Sequence, residues 1–175
     1  MSHETALHGT PGQTVGPFFR YGLEVEGGGE LVPPHSAGAI RLTGVVRDGA
    51  GNAVPDALLE IWQADASGTI PAAEGSFHRD GATFTGFGRV HVTDEGEYEF
   101  WTVLPDADFI AVVIFARGLM DRLHSRIYLP GRTDAFLDSL TPGERATLVA
   151  VATDDGLRHD IRLQGEDETV FLAYP

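Results

Sequence analysis

The chain contains no cysteine. Disulfides and thiolate metal ligands are therefore excluded. Basic residues are few: 12 against 26 acids, a formal charge of −14. Such a surface repels phosphate backbones and anionic lipid, so neither a nucleic acid nor a membrane is expected as a partner. No apolar run approaches the roughly 18 residues that a membrane span needs. The first twelve residues have neither the basic start nor the apolar stretch of a signal peptide, and a cytoplasmic location is expected. Catalytic motifs are missing too. There is no Ser-His-Asp order, no P-loop and no dinucleotide fingerprint, and Gly86-x-Gly88 is too short to hold a phosphate. Seven histidines are present, but none pair at i, i+2 in a strand or at i, i+4 in a helix.

What remains is a chain of 175 residues with 42% apolar content, enough for one domain with a sizeable core. It is organised around the stretch from Arg41 to Gly68. The run 41–46 and the run 57–64 read as the arms of a β-hairpin. Asp48-Gly49-Ala50-Gly51-Asn52 supplies the turn, with Asx bonds and positive-φ positions. In the second arm Leu59, Ile61 and Gln63 share one face, and Leu58, Glu60, Trp62 and Ala64 the other. A second hairpin is predicted from 86–92 and 98–104 around Thr93-Asp94-Glu95-Gly96-Glu97, with Tyr98, Phe100 and Thr102 on one side. Phe109 to Ala116 is a continuous apolar run of strand length, expected to be a central strand buried on both sides. Shorter strands are predicted at 126–129, 149–152, 160–164 and 168–172. Thr141-Pro142-Gly143-Glu144 opens a helix of about two turns, with Thr as N-cap and Glu three residues on. Residues 24–38 and 69–83 are irregular. Many strands, little helix and no linker predict a single all-β domain, a sandwich with short peripheral helices.

Two places invite a functional reading. Gln13-Thr14-Val15-Gly16-Pro17-Phe18-Phe19 sets a permissive glycine and a rigid proline beside two aromatics. It either anchors the N-terminus through its phenylalanines or lets another group approach the main chain. Arg117 ends the long apolar run and precedes Gly118, which places a cation at a strand end. It is suited to hold a carboxylate bidentately, or it is a surface arginine paired with a nearby aspartate.

The run LTGVVRDGAGNAVPDALLEIWQADASG resembles the intradiol ring-cleavage dioxygenases. TPGQTVGPFF, FGRVHVTDEGEYEFWTVLP, IFARGLMDRLHSRIYLP and DIRLQGEDETVFLAY extend the resemblance over nearly the whole chain. The resemblance implies a mixed β-sandwich and aromatic ring cleavage with O2 at a non-haem Fe(III) held by two tyrosines and two histidines. At the four matching places stand Thr69-Ile70, a loop cut to Asp106-Ala107-Asp108, Phe109 and Ala111; the two tyrosines and two histidines are missing, and neither Phe109 nor Ala111 can ligate iron. The family contains two-chain members. The resemblance therefore implies an alpha chain without iron, and a beta partner that carries the Fe(III) in a hetero-oligomer. It implies protocatechuate as substrate and 3-carboxy-cis,cis-muconate as product, with an N-terminal arm (about 1–38) packing on the partner. No residue of this chain is then catalytic or a metal ligand. Thr14, Gly16, Pro17 and Arg117 would line the substrate site. The alternatives are an aromatic-binding sandwich without chemistry and a stand-alone catechol dioxygenase.

Overall fold

A computed structural model describes residues 11–73 and 75–173. The expectations for residues 1–10 and for Tyr174 lie outside that range. In chain order the elements are α1 (Phe19–Leu23), β1 (Ala39–Arg47), β2 (Leu58–Trp62), β3 (Phe87–His91), β4 (Glu97–Val103), β5 (Phe109–Phe115), β6 (Leu123–Tyr128), α2 (Ala135–Ser139), α3 (Pro142–Ala146), β7 (Val151–Thr153), β8 (Gly156–Arg158) and β9 (Ile161–Arg162). The strands form two sheets, ordered β4-β1-β8-β7 with β9 also on β1, and β3-β2-β5-β6. The inner faces meet in one core that includes Leu42, Val46, Phe100 and Leu157 from the first sheet. Leu59, Ile61, Ile110, Val112 and Ile114 face them from the second. The predicted all-β sandwich is what the chain builds.

Neither predicted hairpin is one. The Asp48 turn forms as expected: its Oδ1 accepts from Ala50 N at 2.9 Å and Asn52 N at 2.8 Å. Val54 N still bonds to Val46 O at 3.0 Å, but Pro55 has no N–H to continue the ladder. The chain then crosses to the second sheet. There β2 pairs with β3 and β5, while β1 pairs with β4. The Thr93–Glu97 turn likewise links β3 in one sheet to β4 in the other. Gly96, at φ +77, is required at this crossing, because a Cβ there would lie 2.7 Å from Val46 O. Local turn chemistry specifies the reversal, but burial decides the partner. The apolar faces of β1 and β2 cover each other across the sandwich rather than lying side by side.

The apolar run of β5 also differs from expectation. Ile110, Val112 and Ile114 are buried, whereas Phe109, Ala111, Val113 and Phe115 are only half-buried. The outer face of the second sheet is covered in patches, by the N-terminal segment at one end and by α2 at the other. The helix start at Thr141 is borne out with a full capping box. Only Leu172 of the predicted strand 168–172 makes a bridge, to His124.

Gln63 clamps the two sheets. Its Nε2 donates to Ala64 O at 3.1 Å and to Val103 O at 2.9 Å, and its Oε1 accepts from the Thr102 hydroxyl at 2.9 Å. Gln63 and Thr102 are both buried, so a full set of partners keeps this polar pair tolerable in an apolar core.

Candidate functional site

The site grows from register. In the β2–β5 ladder Leu58 stands opposite Phe115. Two residues beyond those strand ends, Asp56 stands opposite Arg117, and Arg117 Nε donates to the Asp56 carboxylate. Directly opposed residues on one face are the natural unit of a sheet contact. Asp56 is mostly buried at 17% side-chain exposure, while Arg117 is 54% exposed. The terminal nitrogens of Arg117 have no partner among the described residues. A guanidinium has five N–H donors in a planar fork, and engaging Nε leaves its end-on edge for another carboxylate. The paired-aspartate alternative is thus realised, yet it occupies only one side of the cation.

The N-terminal segment is fastened beside this arginine at two points. Thr14 Oγ1 accepts from Gly118 N at 2.7 Å. Arg20 donates to Pro55 O at 2.9 Å and pairs with Asp94 at 3.4 Å. Phe19 packs edge-on against His91, with ring centroids 6.1 Å apart. Burial is the largest influence on His91 and lowers its pKa, with the Arg20 charge acting in the same direction. Between the two fastenings Gly16 and Pro17 are exposed, and a Cβ on Gly16 would meet nothing within 4 Å. Phe18 and Tyr21 turn outward at 79% and 73% exposure. Phe19 therefore anchors the segment, while Phe18 does not.

Thr14 is thus fastened to the Arg117–Gly118 loop, and Gly16 and Pro17 lie in the exposed stretch that runs from there to Arg20. The Thr14 hydroxyl is engaged on the main chain of the arginine loop. Asp56 and Arg20 escape sequence reasoning, since nothing local marks them; their roles follow from long-range register.

Of the four places that the resemblance matches to the family's iron ligands, two lie in loops that touch. Asp106 N bonds to Asp65 O at 3.1 Å, which brings the loop before Ile70 against the shortened loop. Phe109 and Ala111 follow on the outer face of β5, opposite Tyr128 and Arg126. The Arg126 guanidinium lies over the Phe109 ring at 4.2 Å and over Phe136 at 5.1 Å. It pairs with Asp134 at 2.9 Å, and Asp134 also accepts from the Tyr128 hydroxyl and from Leu137 N at the start of α2. Burial works against the Asp134 carboxylate, but these donors outweigh it and hold its pKa below the usual range. Ile, Phe and Ala offer no donor, and a fixed cation already lies on the Phe109 ring. These residues do not fit an iron ion. Among the described residues no group of three acidic or histidine side chains could hold a metal.

A family profile described as Dioxygenase matches residues 34–138. A protocatechuate 3,4-dioxygenase alpha chain from Burkholderia cepacia is 36% identical over 96% of this chain and 98% of its own length. The alpha chain from Pseudomonas putida is 37% identical over 94% and 96%. A protocatechuate 3,4-dioxygenase beta chain from Burkholderia cepacia is 28% identical over 74% of this chain and 66% of its own. Among solved structures, the dioxygenase domain of a carbohydrate-binding fusion from Streptomyces sp. SirexAA-E superposes with a TM-score of 0.54 at 22% identity. The match covers 77% of this chain and 84% of that one, and shows the shared fold. No helix among the described residues is long and apolar enough to cross a membrane. The chain belongs to the intradiol ring-cleavage dioxygenases, on the side of their alpha chains.

Proposed function

We infer that this chain is the iron-free alpha subunit of a protocatechuate 3,4-dioxygenase. A homologous beta chain carries the Fe(III) and the ring-cleaving chemistry. The assembled enzyme adds both atoms of O2 to protocatechuate between its hydroxylated carbons and yields 3-carboxy-cis,cis-muconate. This chain contributes walls, orientation and interface. Arg117 takes the substrate carboxylate on its open edge, and the fastened segment offers Thr14, Gly16 and Pro17 as a wall beside it. Part of the N-terminal arm, with Phe18 and Tyr21 outermost, packs on the partner.

The observation that carries this reading is the contrast between two sites in one chain. The iron-ligand positions hold Ile70, Phe109 and Ala111, with Arg126 seated over Phe109. The Arg117 guanidinium, by contrast, is held at Nε by Asp56 and half exposed, with its terminal nitrogens unbonded among the described residues. Binding and positioning survive where metal chemistry does not.

The test is expression of the chain alone and together with a beta chain. The chain alone should contain no stoichiometric iron and should leave protocatechuate intact. The co-purified complex should consume one O2 per protocatechuate, with iron at one per pair of chains. An iron-loaded, active preparation of the lone chain would sink the reading.

A further inference from the structure

Asp56 lies in the turn before β2, one residue after the Pro55 carbonyl that receives Arg20. The same corner therefore anchors both the N-terminal segment and the strand-end cation. A carboxylate could meet Arg117 side-on, through Nε and one terminal nitrogen, or end-on, through both terminal nitrogens. Asp56 engages Nε, so the side-on edge is taken, while the terminal nitrogens of this half-exposed side chain carry no bond among the described residues. Asp56 is itself mostly buried and sits at the root of a strand, so it is the fixed member of the pair. Arg117, with its long side chain half exposed, is the member that gains from being held.

We propose that Asp56 is a positioning residue for the substrate carboxylate: it holds Arg117 by Nε and thereby presents the two terminal nitrogens as a ready fork. The proposal rests on the reading of Arg117 as the carboxylate-binding group. Ordering a long side chain before the ligand arrives removes part of the entropic loss of binding. The carboxylate of Asp56 also opposes the incoming anion, so its acceptor oxygen is the useful part and its charge is not.

The experiment is steady-state kinetics of the co-purified complex on protocatechuate and on catechol, which lacks the carboxylate. Variants are Asp56→Ala, Asp56→Asn, Arg117→Ala and the double alanine. Asp56→Ala should raise KM for protocatechuate roughly three- to tenfold with kcat little changed. Catechol constants should move much less. Asp56→Asn keeps an oxygen for Nε, and its KM should stay within about twofold of wild type or fall below it. In the Arg117→Ala background, Asp56→Ala should add nothing, since the two act as one unit. The proposal is overturned if Asp56→Ala leaves the protocatechuate KM unchanged, if catechol loses as much, or if Asp56→Asn is damaged like the alanine. Should Arg117→Ala itself treat both substrates alike, it is the carboxylate reading of Arg117 that fails.

Discussion

Arg117 is held at one nitrogen and open at its other two, and that asymmetry sets its expected behaviour. A charge-assisted contact to a carboxylate is worth roughly 1.5–3 kcal/mol. Arg117→Ala should therefore lower kcat/KM for protocatechuate in the complex by about ten- to a hundredfold. The loss should fall mainly on KM if the carboxylate is held equally in ground and transition states. Iron content should not change. A second residue acts on stability rather than binding. His159 is buried and its Nε2 has no hydrogen-bond partner, while its carbonyl accepts from the Tyr98 hydroxyl at 2.5 Å. Burial pulls the imidazole pKa down from 6.5 to about 4. Above pH 6.5 the group is neutral whether the chain is folded or not. Between pH 6.5 and about 4 the unfolded chain binds a proton that the folded one refuses, so stability falls as pH falls. At 1.36 kcal/mol per unit the full loss is about 3 kcal/mol. Urea unfolding at pH 7, 5.5 and 4 should show a smaller decline for His159→Gln than for wild type. Parallel declines would mean that other groups drive the acid sensitivity.

The element that matters most for assembly is the segment from Thr14 to Leu23. Its fastenings to Gly118, Pro55 and Asp94 lie within this chain. Its middle is left bare. Gly16 shows no left-handed φ and no neighbour within 4 Å of a would-be Cβ. In the chain alone Gly16→Ala should change stability by less than about 0.5 kcal/mol, as for an unencumbered surface position. In the complex the added methyl should raise KM for protocatechuate several-fold or weaken chain association if, as proposed, a partner or substrate approaches the main chain there. Unchanged kinetics and association would show that the glycine serves only this chain. A comparison of elements shows where local sequence is sufficient. The Thr141 capping box and the Asp48 turn were legible because donor and acceptor lie within four residues of each other. Helix α2 was not: its cap, Asp134, is recognisable only beside Arg126 and Tyr128, which approach it from β6.

At the scale of the whole molecule, charge and architecture act together. The chain has no lysine; all 12 of its basic residues are arginines. Eight of them stand in ion pairs among the described residues. With a net charge of −14, an anionic substrate meets an unfavourable field nearly everywhere. An arginine whose terminal edge stays open therefore has a large local effect. The sandwich places that arginine at the end of the second sheet, next to the Gly118 N–H that fastens Thr14. The Arg126 cluster, in contrast, fills the outer face of β5 at Phe109 with a cation, two aromatic rings and a helix cap.

The sequence by itself determined the longer strands, the tight turns and the capped helix, but not β8 or the irregular course of 168–172. It also set Ile70, Phe109 and Ala111, side chains without a metal donor, at places that the resemblance matches to the family's iron ligands. All of these depend on residue types and on neighbours a few positions apart. The tertiary structure decided which strands pair, and so turned two apparent hairpins into crossings between sheets. It set Gln63 against Thr102, Asp56 against Arg117 and Thr14 against Gly118. The physical reason is that strand pairing follows from burying faces that lie far apart in the chain. The period-two pattern of a strand names its inner face but not the partner that covers it.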